Sequence, residues 1–102
     1  ENILAMKSVY AIRIYELLMK EQMTRFIPAD GVSVILAIKT IREACDCETK
    51  YEKISQFKSK VIDIAVKEIC RCTSYTVSYE CLKKGRSIEA FRFHLNSKYN
   101  KI

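Results

Sequence analysis

The sequence predicts an α+β fold of the winged helix-turn-helix kind, with three main helices followed by a β-hairpin wing. Three observations predict it. Apolar residues recur at helical spacing in three stretches up to Cys72. After Cys72 the period drops to two, around a tip that reads Lys83-Lys84-Gly85-Arg86. Charge is also segregated: residues 1–49 hold six Lys/Arg against seven Asp/Glu, and residues 50–102 hold twelve against five. The formal charge of +6 thus lies in the half that carries the third helix and the hairpin. At 102 residues the chain is expected to be one domain, 1–102, with 49% hydrophobic residues to fill its core.

The first helix is expected from about Ile3 to Gln22. Tyr10, Ala11, Ile14, Tyr15, Leu17 and Leu18 form its apolar stripe, and Arg13, Glu16 and Lys20 form its polar side. Ser8 either caps it or interrupts an earlier turn. Met23 to Gly31 reads as a loop, with Asp30-Gly31 able to supply positive φ. Val32-Ser33-Val34-Ile35 suits a short strand. Helical spacing then resumes through Leu36, Ile38, Ile41, Ala44 and Cys45, with Arg42 and Glu43 on the polar side. Periodicity does not settle where that strand ends and the helix starts. Polar residues 46–54 connect to the longest helix, Ser55 to Cys72. Ser55 is placed to cap it, and Phe57, Val61, Ile64, Ala65 and Ile69 are expected on its buried face.

Tyr75, Val77 and Tyr79 then alternate with Thr76, Ser78 and Glu80 as a half-buried strand. Gly85 is expected at positive φ in the tip. Phe91, Phe93 and Leu95 share one face of the returning strand. Ile88 is out of phase with them, which predicts a bulge near Glu89-Ala90.

A basic half with these elements suits a polyanion. Lys58, Ser59 and Lys60 open the long helix, where side chains can reach base edges in a major groove. Two lysines there oppose the helix dipole, so local helix stability does not explain them. Lys50 and Lys53 precede the helix, beside a flanking backbone. Lys83, Lys84 and Arg86 put three cations on the hairpin tip, fit for phosphate or minor-groove contact. Lys67 and Arg71 are expected to be peripheral. The predicted partner is double-stranded DNA.

Other chemistries find little support. Five cysteines at 45, 47, 70, 72 and 81 lack Cys-x-x-Cys spacing, and the single His94 completes no zinc set. They are expected to be reduced thiols, as in a cytoplasmic protein. No cofactor or metal is expected. The chain holds two Gly and no Gly-rich phosphate loop, no paired carboxylates stand in a recognisable setting, and nothing in the sequence orients His94, so no enzymatic activity is expected. No apolar run approaches the ~20 residues that span a bilayer, so no membrane partner is expected. Glu1-Asn2-Ile3 is neither a translation start nor a basic signal-peptide opening, and the chain is expected to be a fragment of a longer, two-domain protein.

Tyr10-Ala11-Ile12-Arg13-Ile14-Tyr15-Glu16-Leu17-Leu18 resembles the opening helix of the second, C-terminal winged-helix domain of iteron-binding plasmid replication initiators, the Rep family that includes the F-plasmid initiator. Lys50-Tyr51, Phe57-Lys58, Val61-Ile62, Ala65, Glu68-Ile69, Thr73, Val77-Ser78-Tyr79, Lys83-Lys84-Gly85-Arg86 and Phe91-Arg92-Phe93 follow the same pattern, over roughly Ser8 to Leu95. The resemblance implies sequence-specific binding of origin repeats to initiate plasmid replication, with the main major-groove contacts at positions matching Lys58, Ser59 and Lys60. It also implies an N-terminal winged-helix domain of the same protein as a partner, and a homodimer as a candidate assembly. Two departures stand out. Residues 32–41 are longer and more apolar than the family's strand, polar cap and Leu-Arg helix, and Lys and Ser stand where many relatives carry Arg. Two alternatives stay open: a protein-interaction or dimerisation winged helix using Val32–Ile41, and a transcription regulator.

Overall fold

The computed structural model describes residues 7–22 and 31–97. The expected first turns of the opening helix (residues 3–6), the loop 23–30 and the tail after residue 97 lie outside them. Helix α1 spans Val9–Gln22. Ser8 caps it: its Oγ accepts from the Ala11 N–H at 3.3 Å. Ala11, Ile14, Tyr15 and Leu18 are buried, as their spacing requires.

Strand β1 covers Val32–Ala37 and helix α2 covers Ile38–Ala44. The strand is longer than expected, and Leu36, expected in the helical stripe, belongs to it. Val34 and Leu36 point inward while Ser33, Ile35 and Ala37 point out. Ala37 stands at the N-cap of α2 and makes no side-chain cap bond, so no polar residue marks the boundary. Gly31, at φ 84°, leads into β1. A Cβ there would run into the Asn96 side chain and the Leu95 carbonyl oxygen, so both the angle and the close approach demand glycine.

Strand β2 (Tyr75–Lys84) and strand β3 (Ser87–Ser97) form the hairpin, and the antiparallel sheet has the order β1-β3-β2. The wing is therefore anchored through β3 to a strand that precedes the helix-turn-helix. The predicted bulge is present. Leu82 pairs with Ala90 and Lys83 with Ile88, which leaves Glu89 as the extra residue. Gly85 has φ 64° and Arg86 has no positive φ, the pattern of a type II′ hairpin turn.

Helix α3 is one continuous rod in three parts: an α-helical turn Ile54–Phe57, a π turn Lys58–Ile62 and an α-helical length Asp63–Cys72. Ser55 lies inside its first turn. Lys53 occupies the N-cap and makes no side-chain cap bond, so the expected Ser55 cap is not formed. The π turn resets the buried face. Phe57, Ile62, Ala65, Ile69 and Cys72 follow one another at steps of five, three, four and three, and all are buried. The step of five is the π spacing. Val61 is buried beside Ile62, whereas Ile64, expected in the core, is 41% exposed. An uninterrupted α-helix would instead carry Ile64 toward the face of Phe57 and Val61. Thr73 ends the rod: its buried hydroxyl donates to the Ile69 carbonyl at 2.8 Å and accepts from the Tyr75 N–H at 3.1 Å, turning the chain into β2.

The core lies between α1, α3 and the inner face of the sheet. Phe57 and Phe91 are stacked with centroids 6.3 Å apart, and Tyr79 meets Phe91 edge-on at 5.5 Å. No helix of the described residues is long and apolar enough to cross a membrane.

The shifted face makes a direct prediction. Ile62→Ala should cost about 2–5 kcal/mol and Ile64→Ala less than about 1 kcal/mol, read from urea unfolding midpoints at unchanged slope. Equal losses would mean that the rod has no π turn.

Candidate nucleic-acid interface

A helix can present side chains to a groove only if the segment before it is fixed. In this chain that segment is residues 45–53, and Arg42 fixes it. Helix α2 ends in a Schellman arrangement: the Cys47 N–H donates to the Arg42 carbonyl at 2.9 Å and the Asp46 N–H to the Glu43 carbonyl at 3.3 Å. Asp46 takes the left-handed position (φ 56°) where glycine is usual, and Tyr51 is left-handed as well (φ 53°). The Arg42 side chain spans the loop between them. Its Nη1 donates to the carbonyls of Cys47 at 3.2 Å and Lys50 at 2.7 Å, and its Nη2 donates to that of Tyr51 at 2.9 Å. Its guanidinium lies 4.3 Å over the Phe57 ring centroid. Helical spacing puts Arg42 on the polar side of α2. The structure makes it the residue that sets where Lys50 and Lys53 stand.

The named cations distribute as follows. Lys50 and Lys53 are exposed at the entry to α3. Lys58 is half-buried, while Ser59 and Lys60 are exposed. Residues two apart on a helix do not face the same way, so Lys58 and Lys60 flank Ser59 on opposite sides of the rod. The Ser59 hydroxyl donates to the Gln56 carbonyl at 3.3 Å, which leaves its exposed oxygen able to accept. Lys83 and Lys84 are exposed at the end of β2, and Arg86 is exposed in the turn. A groove of about 540 Å³ brings the wing tip against the helix-turn-helix, with Lys83 and Arg86 on one wall and Ile38, Arg42, Glu52 and Ile54 on the other. The wing tip thus adjoins the entry to α3, with Lys83 and Arg86 facing Glu52 and Ile54 across the groove.

The two flanks of α3 are docked differently. On one, the Tyr79 hydroxyl donates to Asp63 Oδ1 at 2.6 Å, and the Cys70 thiol meets the backbone of Val77. Burial first, and the Asp63 bond second, push the Tyr79 hydroxyl well above its ordinary range. On the other, the Lys7 N–H donates to Glu68 Oε1 at 2.6 Å, and Arg71 pairs with Glu68 at 3.0 Å. Between the flanks, Lys60, Ile64, Lys67 and Arg71 follow at steps of four, three and four, all exposed. Lys67 and Arg71, expected to be peripheral, extend the stripe that begins at Lys60.

His94 proves to be oriented. It lies on the outer face of the sheet, with Nε2 3.0 Å from Glu80 Oε2 and Nδ1 2.9 Å from the Ser33 hydroxyl. Arg92 also donates to Glu80, at 3.1 Å. The His94 bond first and the Arg92 bond second hold the Glu80 carboxyl below its ordinary pKa. The order Ser–His–Glu is that of a nucleophile chain, but it stands on an open sheet face with Ser33 exposed and Glu80 half exposed, outside the described grooves. It ties the three strands together across β3. None of the five cysteines is disulfide-bonded, and burial is the main cause that raises the Cys45 thiol to about 12 and also raises that of Cys47. No cluster able to hold a metal is present among the described residues.

Two outcomes follow. Arg42→Lys should cost about 1–2 kcal/mol in urea unfolding, because one ammonium cannot serve three carbonyls and an aromatic face. An unchanged midpoint would contradict the role of the fork. For Glu80 the sign of the pH effect is set by its lowered native pKa. The stabilisation is complete above the unfolded carboxyl value and is lost as pH falls through the native value. Wild type should therefore lose more stability than Glu80→Gln as pH is lowered from 6 to 3, in thermal melts at fixed salt. Parallel curves would count against the network.

Comparison with known proteins agrees with this architecture. Residues 37–95 match the family model described as initiator Rep protein, WH2. Among solved structures, that of the Pi initiator protein in complex with iteron DNA is similar, with a TM-score of 0.80 and 22% sequence identity over 94% of this chain. At that identity the likeness carries the fold, and the chain spans 41% of that protein's length. No curated protein sequence matches. The family match covers more than half of the chain, and the chain belongs to the WH2 family of initiator Rep proteins, a winged-helix domain.

Proposed function

We propose that this domain binds double-stranded DNA sequence-specifically at repeats of a plasmid origin, as part of an initiator of plasmid replication. The observation that carries the reading is the groove where Lys83 and Arg86 of the wing tip adjoin the entry to α3, together with the exposed cations Lys60, Lys67 and Arg71 along that helix. Membership of the initiator Rep WH2 family supports it, as does the fold shared with a protein solved in complex with iteron DNA. In this reading α3 lies in the major groove with Ser59 and Lys60 at base edges and Lys58 toward a neighbouring backbone. Lys50, Lys53, Lys83, Lys84 and Arg86 neutralise phosphates on either side, releasing counterions. The role is binding, not catalysis. The remainder of the initiator, with a first winged-helix domain and a second copy as partners, belongs to the same proposal. So does a cytoplasmic location.

Lys58→Ala with Lys60→Ala should weaken binding to a cognate duplex roughly tenfold or more at 0.1 M salt, with the thermal melt unchanged. Replacing Lys83, Lys84 and Arg86 by Ala should lower the slope of log K against log salt by about one per phosphate contact removed. Fluorescence anisotropy titrations over a salt series read both. Wild-type affinity in the double variant would remove the start of α3 from the interface.

A further inference from the structure

Ile64 is a large apolar residue standing 41% exposed in the middle of the longest helix. Its position follows from the π turn, which carries Ile62 into the core and turns Ile64 out. Its neighbours along the exposed stripe are Lys60 one turn before, Lys67 three residues later and Arg71 seven later. Such a setting suits a polyanion and disfavours an apolar protein surface, which would have to bury those cations. The other large hydrophobics exposed among the described residues are Val9, at the start of α1, and Ile35, on the outer face of the sheet.

A branched hydrocarbon makes no hydrogen bond, so most base edges offer it nothing. The major groove presents one apolar group, the 5-methyl of thymine. Resting on the DNA-binding reading above, we propose that Ile64 is a specificity-determining residue that packs against a thymine 5-methyl. Lys60, one turn before it, reaches a base edge, and Lys67, one turn after it, holds a neighbouring phosphate. The contact selects thymine over cytosine and the purines at one position of the site, and it adds an apolar element to a face otherwise read by cations and a hydroxyl.

The test uses the full 102-residue chain. A consensus duplex is first selected from a random library. Each thymine in it is then replaced singly by deoxyuridine, which lacks only the 5-methyl, and binding is titrated for wild type, Ile64→Ala and Ile64→Val. At one thymine the replacement should weaken wild type about fourfold, the worth of one buried methyl. Ile64→Ala should lose that sensitivity while keeping a wild-type melt, and Ile64→Val should keep part of it. A deoxyuridine penalty unchanged in Ile64→Ala, or absent from wild type, overturns the assignment and leaves DNA binding standing. A changed sedimentation coefficient for Ile64→Ala with an unchanged deoxyuridine profile assigns the residue to a protein contact and overturns it as well. Failure to select any duplex removes the DNA-binding reading, and this contact with it.

Discussion

Phe57 is the joint on which the domain turns. It is fully buried, with the Arg42 guanidinium over one side and the Phe91 ring stacked against it. Arg42 belongs to α2 and reaches over the loop, Phe57 belongs to the first turn of α3, and Phe91 belongs to the central strand. One aromatic ring therefore locks helix, loop and sheet together. The cations of the loop, the helix and the wing belong to three separate elements. Their relative positions are fixed because these elements meet at Phe57, and a flexible joint would spend binding energy on ordering them.

The π turn is the second constraint. It sits immediately after Phe57 and spans the same residues, Lys58–Ile62, that open the exposed stripe. A π turn sacrifices regular hydrogen bonding and persists where packing over-determines it, and it is common at functional sites. Here it lets Val61 and Ile62 both enter the core and delays the inward face of the rest of the rod. The outward face shifts with it, and Ile64 turns out between Lys60 and Lys67, one turn to either side. Core packing and the outward face of α3 are thus two consequences of one extra residue in a helical turn.

Much of this was legible in the sequence. The hairpin, its Gly85 turn and the bulge at Glu89 follow from the period-two pattern and its one phase error. The Ser8 cap and the stripe of α1 follow from spacing. The boundary at Ala37–Ile38 was hidden because no capping side chain marks it. The end of α2 follows from the stripe that stops at Cys45, although Asp46 takes the left-handed position usually signalled by glycine. Ile64 was misplaced because constant α-helical spacing cannot register a π turn. Arg42 was missed because its partners are backbone carbonyls, which leave no trace in residue types. The basic half of the chain gave the chemical character of the surface, but only the sheet order explained how the wing tip comes to adjoin the helix entry.

The most direct measurement is amide chemical-shift mapping of the domain titrated with its selected duplex. The account predicts that the largest changes fall on residues 50–67 and 83–87, while Ser33, Ile35, Ser78 and His94 on the outer face of the sheet stay unmoved. Changes concentrated on that outer face, with α3 and the wing silent, would contradict it.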